Sequence, residues 1–420
     1  MGKKFLFYTD NFYPLQGGAE KHLENLISRL MEDGHQVHVI TMIPNFEGYD
    51  KEFKYQIHRL IEGVIPKEDL MNGSISEFMW GSHQYAIKYY QKKDRNLPAW
   101  KQTEEGIINI INSLESFDVY IGCGQFGARQ HDFGRDIAEL LKAKNSLCKT
   151  FYLEFDMYHY TNPLGKKWLG IYEGNKNPLP NIDYIMSSNQ HDLNHKSNLM
   201  ENDTICLPPI IDTEITKLTN KKEWENRPYH FGFLSPLFHK GSSIVKSLLI
   251  DYPDSKFLIK NPPYGSKFDI EGLYPLLGNN FDTLGWVEDL DKDFYQQCKF
   301  ILYPSLNEGY GMGAIEALSN GAIPILNSTE SNKWVNDEFA YYIESDLLKN
   351  PIIYNFNWYM ENYDRINESW KKGIFDILRT KSDEHYKFIE YYQEDALQYH
   401  QQRFEGLYVE FLRVIGEDKK

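Results

Sequence analysis

Short apolar runs alternate with helical stripes twice along this chain, and that alternation limits the possible folds more than any other feature. Lys4 to Thr9 is an apolar run that reads as a strand. After the loop DNFYPLQGG, a helix is expected from Ala19 to Asp33, because Leu23, Leu26, Ile27, Leu30 and Met31 recur at helical spacing. Gly34 stops it, and Gln36 to Met42 reads as a second strand. Strand, helix, strand predicts a parallel βαβ unit. The pattern continues with helices at Thr103 to Leu114 and Gly134 to Lys144, and strands at Val119 to Gly122, Thr150 to Glu154 and Ile182 to Met186. The segment CLPPIIDTE closes this first doubly wound sheet with its paired prolines.

After Pro228 the alternation starts again. Strands are expected at Tyr229 to Phe233, Lys256 to Ile259, Phe300 to Tyr303 and Ala322 to Leu326. Helices fit Ser242 to Ile250, Leu290 to Gln297 and Gly313 to Ser319, and the stretch from Ser382 to Ile415 reads as helical. The expected architecture is α/β, with two Rossmann-like domains that face a cleft lined by strand C-terminal edges. The expected boundaries are 1–212 for the first Rossmann-like domain, 213–385 for the second and 386–420 for a terminal helix. A chain of 420 residues with 41% hydrophobic content supports two cores of ordinary size.

The formal net charge of -15 excludes a generic polyanion-binding surface. Four cysteines, far apart and without a CxxC pair, read as reduced thiols. No run is apolar and long enough for a signal peptide or a bilayer span, so a cytoplasmic protein is expected, with peripheral membrane contact as the upper limit.

Two motifs carry chemistry. In QGGAEKHL, Gly17 and Gly18 precede a helix, where bare backbone and helix N–H groups can approach a phosphate; taken alone, the pair reads better as a plain turn needing positive φ. In PSLNEGYGMGAIEALSNGAIPI, a strand ends at Tyr303 and a glycine loop separates two carboxylates, Glu308 and Glu316. Glu308 stands at a strand's C-terminal edge, placed to accept from sugar hydroxyls or to stabilise positive charge. The loop Gly309, Tyr310, Gly311, Met312, Gly313 can face a phosphate, and Glu316 can hold ribose hydroxyls. The plainer alternative makes Glu316 a surface charge. Apolar Ile315, Ala317 and Leu318 around it argue for a buried carboxylate that needs a partner.

Together these motifs resemble the large retaining family of GT-B nucleotide-sugar glycosyltransferases often called family four. That family pairs a P…GGxE loop with a PSxxEGxGxxxxEAxxxGxPV signature. Here Pro14, Gly17, Gly18 and Glu20 match the first, and Pro304 to Ile325 the second, with Lys240–Gly241, Leu284–Gly285–Trp286 and PPIIDTE in support. The resemblance implies sugar transfer with retention, hexosyl or pentosyl, and a terminal helix that crosses back to the first domain. It places Glu308 on the donor sugar, Glu316 on the ribose and Lys240 on the diphosphate. It implies no metal and no other cofactor, the nucleotide-sugar being a substrate. Two departures stand out. Gly232–Phe233 replaces the usual Gly-Arg, and the stretches GCGQFG and FYLEFDMYHY, which match the first-domain histidine region, offer Cys123, Gln125, Glu154 or Asp156 instead, with His159 further on. A fainter likeness to the DNA α-glucosyltransferases of T-even phages rests on GAIPILNSTESN.

The acceptor expected from the sequence is a glycan or a surface-polysaccharide precursor. DNA with hydroxymethylated bases is the alternative, and a catalytically silent binding protein of the same fold is a third reading. Tyr89, Lys92, Lys93 and Trp100 sit in an aromatic and basic stretch, Tyr85 to Lys101, suited to stacking on sugars or bases; an ordinary amphipathic helix accounts for it as well. His191 and His195 have helical spacing but lack an HExxH glutamate, and Asp289 and Asp291 lie where a helix begins, so neither pair is taken as a metal site.

Overall fold

The computed structural model describes residues 2–9, 12–13, 18–41, 45–46, 52–60, 64–65, 99–123, 133–154, 179–199, 201–234, 240–260, 280–285, 287, 289–305, 308–348 and 356–417. The chain divides into two compact units. One comprises Met1–Ile210 with Gly406–Lys420, the other Ile211–Glu405.

The N-terminal unit is built on a seven-stranded sheet in which every neighbouring pair is parallel. Across the sheet the strands run Gln56–Arg59, Gln36–Thr41, Lys4–Thr9, Val119–Cys123, Lys149–Glu154, Tyr184–Ser187 and Asp203–Cys206. The order reverses beside Lys4–Thr9, the first strand, which is the switch point of a doubly wound sheet. Its central strands are near-continuous apolar runs because helices cover both faces. Phe5, Leu6, Phe7, Val119, Tyr120, Ile121 and Phe151 are fully buried, and each large apolar side chain so removed from water contributes about 1.5–3 kcal/mol. The helix Gly18–Glu32 buries Leu23, Leu26, Ile27 and Leu30 along one stripe.

The second unit holds a six-stranded parallel sheet in the order Phe281–Leu284, Phe257–Lys260, Tyr229–Phe233, Cys298–Tyr303, Ile323–Asn327, Tyr341–Ile343. On one face Phe231, Phe233, Phe257, Ile259, Phe300 and Leu302 pack with Trp370 and Ile374 of the helix Phe356–Arg379. On the other, Leu258 and Ile301 pack with Phe294, Tyr295 and Ala317. The last helix, Ser382–Val414, is continuous, and from Gly406 onward it belongs to the N-terminal unit. There Tyr408 donates to Asp33 at 2.8 Å, and Phe411 packs on Phe151 with ring centroids 5.4 Å apart. No described helix is long and apolar enough to cross a membrane.

Candidate active site

The glycine-rich motif folds into a loop and helix at the C-terminal edge of the second sheet. The strand Cys298–Tyr303 ends, and the helix Met312–Ser319 starts behind Gly311. Gly311 caps that helix with φ of 72°, a left-handed conformation that glycine alone adopts without strain. The second requirement for glycine is steric. A Cβ at Gly313 would lie 2.6 Å from the Tyr303 hydroxyl and 3.1 Å from that of Tyr295, so a side chain here would have to displace the Tyr303 ring.

Glu308 is the best-held side chain of the motif. Both of its carboxylate oxygens lie 2.8 Å from the Lys240 ammonium, and Ser305 Oγ donates to Oε1 at 2.7 Å. The two charged side chains are only 27% and 16% exposed. What brings Lys240 there is Gly241, whose φ is 82°. A Cβ at Gly241 would stand 2.5 Å from the Pro304 carbonyl oxygen, so the Lys-Gly turn rests directly on the first residue of the motif. Ser305 is fixed in turn: the Asn327 amide donates to the Ser305 carbonyl at 2.8 Å and accepts from Trp370 Nε1 at 2.7 Å. Sequence-distant elements thus converge on one carboxylate.

Glu316 accepts a hydrogen bond from Tyr295 at 3.0 Å, the buried partner that the apolar neighbours of Glu316 call for. Burial and the adjoining Tyr303 and Glu316 hold the Tyr295 phenol well above its ordinary pKa, so it stays a donor. Tyr310 is buried, and its hydroxyl lies 2.7 Å from His400 Nδ1 on the last helix. Burial lowers the His400 pKa to about 3, which leaves the imidazole neutral. At the far end of the motif, Asn320 caps the helix, and the buried Arg227 donates to the carbonyls of Cys298 and Asn320, each at 2.7 Å. Tyr295, His400 and Arg227 belong to the site's framework and carry no local sequence pattern that would have singled them out.

Lys240, Glu308, Gly309, Tyr310, Gly311, Met312, Gly313 and Glu316 therefore share one loop-and-helix assembly in the second unit. Phe233, at the position where the resemblance expects an arginine, is buried in the apolar core. In the N-terminal unit Gly18 opens the helix Gly18–Glu32, while Gly17 lies outside the described residues. Glu154 ends its strand, but its side chain, Asp156 and His159 lie outside the described residues. So do Tyr89, Lys92 and Lys93, and the side chain of Trp100, whose backbone belongs to the helix Ala99–Ser113. Asp289 accepts from the Lys292 N–H at 3.0 Å as a helix N-cap, with Asp291 in the first turn, so the acidic run serves its helix.

Solved structures resemble the whole chain. TarM aligns over 99% of both chains with a TM-score of 0.63 at 10% identity. The catalytic domain of starch synthase IV from Arabidopsis thaliana, bound to ADP and acarbose, aligns over 98% of this chain and 99% of its own, with a TM-score of 0.57 at 12% identity. A UDP-forming α,α-trehalose-phosphate synthase from Burkholderia xenovorans, in complex with glucose-6-phosphate, covers 99% of this chain and 100% of its own, with a TM-score of 0.56 at 10% identity. The fold is GT-B. No protein-family model matches the sequence, and neither does any curated sequence. In GT-B terms, the assembly around Glu308 and Glu316 lies in the C-terminal Rossmann-like unit.

Proposed function

We propose that this protein is a retaining glycosyltransferase that moves a hexosyl or pentosyl group from a nucleotide-sugar to a glycan hydroxyl, without a metal. The observation that carries the reading is the Lys240–Glu308–Ser305 cluster set against the glycine-capped start of the helix bearing Glu316. One cation, two carboxylates and the N–H groups of a glycine-capped helix start are the kinds of group that a nucleotide-sugar requires. The trehalose-phosphate and starch synthases of the same fold, one UDP-forming and one with ADP bound, support the donor class.

In the proposed reaction the bond between the anomeric carbon and the diphosphate oxygen breaks through an oxocarbenium-like transition state. Lys240 and the helix-start N–H groups stabilise the charge growing on the departing diphosphate. A diphosphate reaching Lys240 competes with Glu308 for the ammonium, which frees the carboxylate to accept from sugar hydroxyls. Glu316 accepts from the ribose hydroxyls while Tyr295 holds it in place. The acceptor hydroxyl attacks from the face the diphosphate leaves, and its proton passes to the leaving phosphate oxygen, which conserves the anomeric configuration. The N-terminal unit takes the acceptor. A glycan is favoured over DNA because a net charge of -15 opposes a polyphosphate.

The test is release of nucleoside diphosphate from UDP-, GDP-, ADP- and TDP-sugars with glycan acceptors. Wild type should turn over one donor, and Glu308→Gln should lose transfer while keeping its fold. Transfer by Glu308→Gln at the wild-type rate would remove Glu308 from the sugar. Transfer to hydroxymethylated duplex DNA, lost steeply with salt, would replace the glycan.

A further inference from the structure

We infer that Lys260 is a second cationic contact to the donor diphosphate, taking the part that Phe233 cannot play. The inference rests on the nucleotide-sugar reading above. Lys260 is the last residue of the strand Phe257–Lys260, at the C-terminal edge of the sheet. That strand adjoins Tyr229–Phe233, with Ile259 opposite Phe233, so Lys260 stands one residue beyond the level of the missing arginine.

Its face is settled by its neighbours. Phe257 and Ile259 pack with Phe233 and Phe300, whereas Leu258 packs with Ile301, Tyr295 and Ala317. Side chains alternate along a strand, so Lys260 shares the face of Leu258. That is the face of Tyr295, which holds Glu316, and of the helix that Gly311 caps. Registers place Lys260 level with Tyr303, two strands away, or about 10 Å at ordinary strand spacing. A cation here lies at the edge where that helix presents its N–H groups.

Its surroundings also ask for an anion. The side chain is half-buried, burial lowers the ammonium pKa, and no carboxylate pairs with it among the described residues. A partly desolvated cation without a counter-ion is unfavourable, and a bound anion relieves that cost. In a nucleotide-sugar whose sugar is neutral, only the diphosphate carries negative charge. Phe233 supplies no cation for it, being uncharged and packed in the apolar core on the opposite face.

The test is calorimetric titration of the full chain with UDP, ADP, GDP and TDP and with the matching nucleosides, for wild type, Lys260→Met and Lys260→Arg. Lys260→Met should bind the preferred diphosphate about 10–100-fold more weakly, the loss of one charge-assisted hydrogen bond. Lys260→Arg should recover most of that affinity, and the nucleoside should bind all three proteins alike. Because no carboxylate among the described residues pairs with the cation, Lys260→Met should melt no lower than wild type. Unchanged diphosphate affinity in Lys260→Met, or equal weakening of nucleoside and diphosphate, overturns the inference while leaving the donor reading intact. Failure of wild type to bind any of the four diphosphates overturns the donor reading, and this inference with it.

Discussion

Substituting Gly241 with alanine tests how the site is assembled, and the structure sets the size of the effect. Two costs combine there. An L-residue at φ of 82° bears left-handed strain of about 1–2 kcal/mol. The new Cβ would also lie 2.5 Å from the Pro304 carbonyl oxygen and 2.7 Å from its Cβ, a collision with backbone that costs about 1–3 kcal/mol to relieve. Gly311 provides the control. Its φ is 72°, but the nearest atom to a Cβ there is Glu308 Cβ at 4.0 Å, so Gly311→Ala bears the strain alone. For a unit of roughly 200 residues, each kcal/mol shifts the melting temperature by roughly 2–4 °C. Gly311→Ala should therefore lower the C-terminal unit's transition by roughly 2–8 °C, and Gly241→Ala by roughly 4–20 °C, the greater loss in any matched pair of scans. Differential scanning calorimetry measures both. Gly241→Ala should also weaken donor binding, because the turn that delivers Lys240 to Glu308 must move. Equal shifts for the two variants, or a Gly241→Ala protein as stable as wild type, would refute the claim that contact with Pro304 sets the Lys240 turn.

Three further outcomes are expected. Phe233→Arg should destabilise the protein by about 3–5 kcal/mol, as for an unpaired charge in an apolar core, and should not improve donor binding; urea denaturation and titration check it. His400, held neutral with a pKa near 3 against 6.5 when unfolded, gives stability that is complete above pH 6.5 and declines as pH falls toward 3. In urea titrations across that window, His400→Gln should show a shallower pH slope than wild type by up to about one proton, or about 1.4 kcal/mol per pH unit. Transfer should persist in EDTA, and complete loss restored by manganese or zinc would show that a metal takes part.

The fold was legible where strands are buried on both faces. Lys4–Thr9, Val119–Cys123 and Tyr229–Phe233 announce themselves as short, largely apolar runs between helical stripes. Within the two main sheets, the strands that escaped the sequence reading lie at the edges: Asp203–Cys206 in one, Phe281–Leu284 and Tyr341–Ile343 in the other; the short pair Asn45–Phe46 and Val64–Ile65, a sheet of its own, escaped it as well. Phe281–Leu284 reads FDTL and is largely exposed, so it lacks the pattern that burial imposes. The site divides in the same way. Glu308, Gly311, Gly313 and Glu316 were visible because one loop must hold carboxylates and bare backbone together. Tyr295 and His400 were not, since their pairing with Glu316 and Tyr310 arises only when distant segments meet. Phe233 shows the limit of reading by position: a residue one strand over, on the opposite face, has the charge that the expected arginine would have brought.

The most direct test of the account is a thermal-shift titration of wild type and Glu316→Ala with UDP-, GDP-, ADP- and TDP-sugars. A donor at a hundred times its dissociation constant stabilises the folded chain by about 2.7 kcal/mol. One nucleotide class should raise the wild-type melting temperature by several degrees, and the same concentration should leave Glu316→Ala almost unmoved. A wild type that responds to none of the four, or a shift that survives intact in Glu316→Ala, would contradict a nucleotide-sugar site built on the glycine loop of the second unit.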